Sequence, residues 1–226
     1  MKEYTLSLPT SQQAFLLEGI GKMCRVFWGP DSDQCEEMLR SGDYLRPFRE
    51  LEAVVNYETP DILRQFRTVI GNFTGADALF YHLEEAYIRL FINARGGITA
   101  PLFESCYVSE YATLMGQPAM MMMKRLESDG LSLTGHSNDP PDHLSVELEY
   151  LYFLLSEGWS GGDPGFIDKA VSFASGMLPW ISTFRQRIIN ERQSPFYSLA
   201  ASLLCDLLRL IAGENPGHET DNRQLA

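Results

Sequence analysis

Residues 77–93 read Asp-Ala-Leu-Phe-Tyr-His-Leu-Glu-Glu-Ala-Tyr-Ile-Arg-Leu-Phe-Ile-Asn. Leu79, Phe80, Leu83, Ala86, Tyr87, Leu90 and Phe91 recur every three or four positions. That spacing lines them along one face of an α-helix and is wrong for a strand, where neighbours alternate sides. The pattern stops at residues 94–101, Ala-Arg-Gly-Gly-Ile-Thr-Ala-Pro, a loop by composition. Upstream the same period returns between Ser11 and Trp28, at Phe15, Leu16, Ile20, Met23, Val26 and Phe27. Thr10 or Ser11 suits its N-cap, and Gly29-Pro30 ends it, because proline supplies no amide donor. A short acidic helix is expected from Ser32 to Arg40. The next opens at Thr59-Pro60-Asp61, with Thr59 as cap and Pro60 at the first helical position.

Downstream, helix is expected from near Glu104 to about Met115, then from Pro118 through the methionines 120–123 to Asp129-Gly130. A second loop covers Gly135 to Pro141. Asp142 to Trp159, Phe166 to Ser175, Trp180 to Arg192 and Pro195 to Ala212 complete the set. Leucine outnumbers valine 29 to 7, and no segment alternates as a strand would. The expectation is an all-α, single globular domain of roughly nine to eleven helices over residues 1–212, with a disordered tail at 213–226.

Composition narrows the function. The chain has 226 residues, and 18 Lys+Arg against 30 Asp+Glu leave a net charge of −12. That balance argues against a nucleic-acid partner, which needs a basic face. No apolar run approaches the 18 or so residues of a membrane helix, since Asp206 and Arg209 interrupt the most apolar segment. The N-terminus lacks the apolar core of a signal peptide, so the reading is a soluble cytoplasmic protein with reduced thiols. Cys24, Cys106 and Cys205 sit among apolar helical residues and read as buried thiols. No Cys or His spacing suggests a metal site, and no nucleophile, phosphate-loop or dinucleotide motif occurs. No catalytic residue, metal or cofactor is therefore expected.

Three places depart from plain helix packing. In Asp139-Pro140-Pro141-Asp142-His143, two prolines stiffen the approach to a helix, Asp142 can cap it, and His143 follows in its first turn. Adjacent helical residues point about 100° apart, which does not suit an Asp142–His143 acid/base pair. Tyr87 with Phe91, and Phe103 with Tyr107, are aromatic pairs four apart on either side of the Gly-Gly loop. Leu178-Pro179-Trp180 and Ser194-Pro195-Phe196-Tyr197 read as two proline-led helix starts. Four consecutive methionines circle a helix, so part of that run belongs to the core.

In register, Ala86-Tyr-Ile-Arg-Leu-Phe91, Ala100-Pro-Leu-Phe-Glu-Ser-Cys-Tyr107, Pro140-Pro-Asp-His143 with the following Leu-Ser-Val-Glu-Leu-Glu149, Pro179-Trp180 and Pro195-Phe-Tyr197 resemble the TorD/DmsD/NarJ family. These are the cytoplasmic redox-enzyme maturation chaperones, and the likeness runs from about residue 12 to 212. It implies an all-helical fold and a non-enzymatic role. It further implies binding of the twin-arginine leader and the apo catalytic subunit of a molybdopterin oxidoreductase until the cofactor is inserted, which prevents premature Tat export. The leader-binding residues carry over onto Tyr87, Leu90, Phe91, Phe103 and Tyr107, and the Pro-Asp-His motif onto Pro140, Pro141, Asp142 and His143. A monomer, with helix exchange into a dimer as an option, is implied too. Tyr or Phe stands here where some members have Trp, and Asp139 where the motif often opens with Glu. The competing reading is a helical scaffold that binds another partner's amphipathic helix.

Overall fold

The computed structural model describes residues 5–40, 43–93, 97–108, 115–133, 140–161 and 163–214. Among them are ten α-helices, one π-helical turn and no strand. The helices are α1 (Thr10–Trp28), α2 (Ser32–Arg40), α3 (Arg46–Glu50), α4 (Ile62–Gly71), α5 (Ala76–Tyr87), α6 (Ser105–Val108), α7 (Gln117–Ser128), α8 (Leu144–Ser160), α9 (Pro164–Glu191) and α10 (Pro195–Ala212). The segment expected as a disordered tail lies outside the described residues from 215 onward, as do most of the second loop and residues 109–114 of the helix expected after Glu104.

The core is built where α10 lies against α9, α9 against α8, and α8 against α1. α10 is the one helix among the described residues long and apolar enough to cross a membrane, and 83% of it is buried in this core. Its Asp206 is buried with it, accepting the Glu58 N–H at 3.3 Å and facing Arg209 at 3.3 Å. Phe27 of α1, Phe184 of α9 and Tyr197 of α10 meet at its centre, with ring centroids 5.5 and 6.5 Å from Phe27. The Phe27–Phe184 pair is edge-to-face (71°), a packing that adds to the burial of the rings themselves.

Several boundaries differ from the sequence reading. α1 starts at Thr10 behind Pro9, with no side-chain cap. α4 opens two residues late: Asp61 takes a left-handed conformation (φ 52°), so Thr59 and Pro60 form a turn before the helix. The helix expected to run to Asn93 stays α-helical only to Tyr87, then widens into a π-turn over Ile88–Ile92. The Leu90 carbonyl of this turn accepts the Ala100 N–H at 2.9 Å, which ties Ala100 back onto it. The two helices expected on either side of Pro179 are one, Pro164–Glu191. Pro179 is exposed, and its ring removes one amide donor without interrupting the buried stripe of Met177, Leu178, Trp180 and Ile181. The four cysteines are free; Cys24, Cys35 and Cys205 are buried, and Cys106 is only half-buried. Burial pushes the Cys205 thiol up to about 11.

Candidate functional site

The Pro-Asp-His corner is a junction between two distant segments. Leu144 N–H donates to the Leu102 carbonyl at 2.8 Å, and Glu104 N–H to the Asp142 carbonyl at 3.1 Å. This short bridge, centred on Phe103 and His143, straps the chain before α6 onto the start of α8. Asp142 is wholly buried. Its Oδ2 accepts the Ser105 N–H at 2.9 Å and the Ser105 O–H at 2.5 Å. The carboxylate therefore caps α6, not the helix it precedes. The cap of α8 is His143, whose Nδ1 accepts the Ser145 N–H at 3.2 Å. Helix begins one or two residues later than the sequence suggests because Asp142 is committed across the interface.

The His143 ring stacks on Trp28 at the end of α1 (4.8 Å, 16°) and meets Phe103 edge-on (5.2 Å, 73°). Ser145 O–H donates to the Cys24 carbonyl at 3.1 Å, and Trp28 Nε1 donates to Glu149 at 3.2 Å. Pro140 supplies the carbonyl that accepts the His143 N–H at 3.0 Å, and Pro141 is buried beside it. Trp28 was not singled out from the sequence. It lies 121 residues from Glu149, so no local pattern points to it.

The aromatic candidates form a second group. Phe91 is buried against Phe27 (6.2 Å), Phe184 (5.8 Å) and Tyr197 (5.1 Å), and Leu90 is buried with it. Tyr87 packs edge-on to Phe91, and its hydroxyl donates to the carbonyls of Phe27 and Trp28 at 3.1 Å each. Tyr107 reaches the same cluster through Phe184 and Trp180. Its hydroxyl donates to Pro101 O at 2.7 Å, and the Arg187 guanidinium lies 4.4 Å over its ring. Tyr87, Phe103, Tyr107 and Pro140 are half-buried; Leu90, Phe91, Pro141, Asp142 and His143 are buried. The fold thus brings Tyr87, Leu90, Phe91 and Tyr107 together, and Phe103 with His143, as two adjoining patches.

One feature beside the corner escaped the sequence reading. Glu147 lies on the apolar stripe of α8 with Leu144, Leu148 and Leu151, and it is wholly buried. Burial first, then the nearby Glu104 and Asp142 carboxyls, hold Glu147 far above the usual carboxylate range. Burial also raises Glu104, although the hydrogen bond from Glu147 pulls it the other way. Both carboxyls are thus held towards their neutral forms, Glu147 the more strongly. The signal was present: an acid on the apolar side of a helical stripe is buried, and a buried acid needs a partner or a proton. Among the described residues no group of three or more Cys, His, Asp or Glu is placed to hold a metal ion.

This all-helical architecture is that of a redox enzyme maturation fold. A crystal structure from Archaeoglobus fulgidus, described as a candidate redox enzyme maturation protein, superposes with a TM-score of 0.51 over 92% of this chain and 99% of that one, at 18% identity. Residues 53–186 match the family described as nitrate reductase delta subunit, and the chain belongs to that family. It is 25% identical to the chaperone protein TorD of Photobacterium profundum over 169 residues, 71% of this chain and 78% of that one. It is 28% identical to the chaperone protein TorD of Vibrio vulnificus over 107 residues, 45% of this chain, and spans about half that relative's length (50%). The relatives are named as chaperones and not as enzymes.

Proposed function

We propose that this chain is a cytoplasmic chaperone for the catalytic subunit of a molybdopterin oxidoreductase. It holds the immature subunit and its twin-arginine leader until the cofactor is inserted, and so delays Tat export. Family membership over residues 53–186 carries the chaperone reading, and the TorD relatives support it. The charge of the chain suits the leader. A twin-arginine segment joins two guanidinium groups to an apolar stretch. A chain of net charge −12 attracts the arginines over roughly a Debye length, about 8–10 Å at physiological salt. Carboxylates then bind guanidinium in bidentate geometry.

In this reading the half-buried Tyr87, Phe103, Tyr107 and Pro140 touch the apolar stretch. Leu90, Phe91, Pro141, Asp142 and His143, all buried, hold that wall in shape. The working species is the monomer. The test is affinity purification of the tagged full chain from its native organism grown without oxygen, with mass spectrometry of what accompanies it. A molybdoenzyme catalytic subunit with an uncleaved leader is the expected catch. Consistent recovery of an unrelated protein instead would replace the reading with that of a helical scaffold.

A further inference from the structure

Helix α7 is held to the molecule by few contacts. Its buried side chains are Pro118, Ala119, Met122 and Leu126, whereas α10 is buried almost all round. Among the described helices its one substantial neighbour is α6, which is four residues long. Two cavities flank it. One, of about 410 Å³, lies towards α6 between Glu104, Val108 and Pro118. The other, of about 380 Å³, lies towards α8 and α9 between Tyr150, Lys169 and Phe173. Arg125 of α7 lines both. A helix that buries so little apolar surface can lift at a small fraction of the free energy of global unfolding.

Both ends of α7 are left-handed: Met115 before it has φ 62°, and Gly130 after it has φ 73°. At Gly130 this makes a Schellman turn, in which Gly130 N–H donates to the Glu127 carbonyl at 3.1 Å and Leu131 N–H to the Leu126 carbonyl at 2.8 Å. Methionine is strained in that region, because its Cβ crowds the carbonyl that follows. Such strain persists only while the surroundings fix the backbone. Gly116, the next residue, stands against the corner: a Cβ on it would lie 3.1 Å from Ser105 Oγ, the hydroxyl bound to Asp142.

The far end of α7 is fastened by polar contacts. Asp129, just past the helix, accepts the Tyr150 O–H of α8 at 2.7 Å and pairs with Lys169 of α9. The Asp129 side chain is only 4% exposed, so its end of both contacts is shielded from water. One turn earlier the Arg125 guanidinium lies over the ring of Phe173 at 5.1 Å.

We propose that α7 is a latched flap. It turns as a unit about Met115, with Asp129 as the catch, and on opening uncovers Met122, Leu126 and the Phe173 ring while α8, α9 and α10 stay folded. Its outer face already carries the exposed Met120, Met121 and Met123. Opening therefore joins hidden apolar side chains to exposed ones, relieves the strain at Met115 and moves the hinge against the Ser105–Asp142 contact. The device belongs to the fold and holds whichever client the chaperone takes.

The test is amide hydrogen exchange of the full chain at neutral pH, read by mass spectrometry. The amides of α7 are expected to exchange about a hundredfold or more faster than those of α10. Tyr150→Phe removes one donor from the catch, and Lys169→Ala, at a half-exposed position, removes the other. Each should speed exchange in α7 about tenfold and leave α10 unchanged. Met115→Gly takes the strain out of the closed form and should slow α7 severalfold. The dye ANS, which reports exposed apolar surface, should bind Tyr150→Phe more than wild type well below the melting temperature. Exchange in α7 as slow as in α10 would overturn the flap. So would variants that speed both helices alike, because that reports a loss of global stability and not an unlatching. Faster exchange of α7 in Met115→Gly would overturn Met115 as the hinge.

Discussion

Asp142 shows how one side chain can be found in a sequence and still be given the wrong job there. Its neighbours mark it as a helix cap, which it is, but for α6, and its own helix is capped by His143. Capping depends on which orphan amides lie within reach of the carboxylate, and Ser105 is 37 residues away. Asp142→Ala strips Ser105 N–H and O–H of their acceptor in a site closed to water. It should cost about 2–4 kcal/mol in urea denaturation. Asp142→Asn retains an oxygen acceptor and should cost less. Equal stability of wild type and Asp142→Ala would mean that the strap does not depend on this contact. The aromatic residues were legible as a group, yet their hydroxyls were not: Tyr87 closes the end of α1, and Tyr107 holds Pro101.

Among the elements, α8 and α9 approach most tightly at Gly158. A Cβ there would lie 2.6 Å from Ile167 Cδ1 and 3.1 Å from the Ile167 amide nitrogen. The side-chain tip can move, but the backbone cannot. Gly158→Ala gains about 1 kcal/mol of helix propensity and should lose about 1–3 kcal/mol to overpacking. A net fall in melting temperature is therefore expected, and a rise would show that α9 slides freely along α8. The unbroken α9 illustrates the limit of punctuation signals. Proline is a strong stop only where nothing else orders the chain, and here the buried stripe on both sides of Pro179 packs onto α10 and α8. The methionine run divides as a helix must: Met122 is buried, and Met120, Met121 and Met123 face outward.

For the whole molecule, the buried acids set the dependence of stability on pH. Asp206 is raised by burial to about 6, and Glu147 and Glu104 are raised as well. A group with a raised native pKa binds its proton more tightly folded than unfolded. Its stabilisation is complete below the unfolded value and is lost as pH climbs through the native one. Glu58 works the other way, because its hydrogen bond from Arg209 holds it low, and so does Asp129, which Lys169 and Tyr150 hold down despite its burial. Their contribution is lost as pH falls below the ordinary carboxylate range. Stability in urea should therefore peak at mildly acidic pH, about 5, and decline towards pH 8. Glu147→Gln should flatten that decline. A profile that rises steadily from pH 5 to 8 would contradict these assignments.

The sequence by itself determined the helical class, the identity of most helices and the family, because helical periodicity and the order of motifs are written over three- and four-residue steps and along the chain. It also marked the corner at 140–143 and the aromatic set around Phe91. Only the tertiary structure decided which helix Asp142 caps, that His143 lies on Trp28, and that Glu147 is buried facing Glu104 and Asp142. Those are matters of burial and of contacts between segments far apart in the chain. The ionisation of a carboxyl depends on what surrounds it in space, and a one-dimensional pattern carries that only as an acid out of place on an apolar stripe.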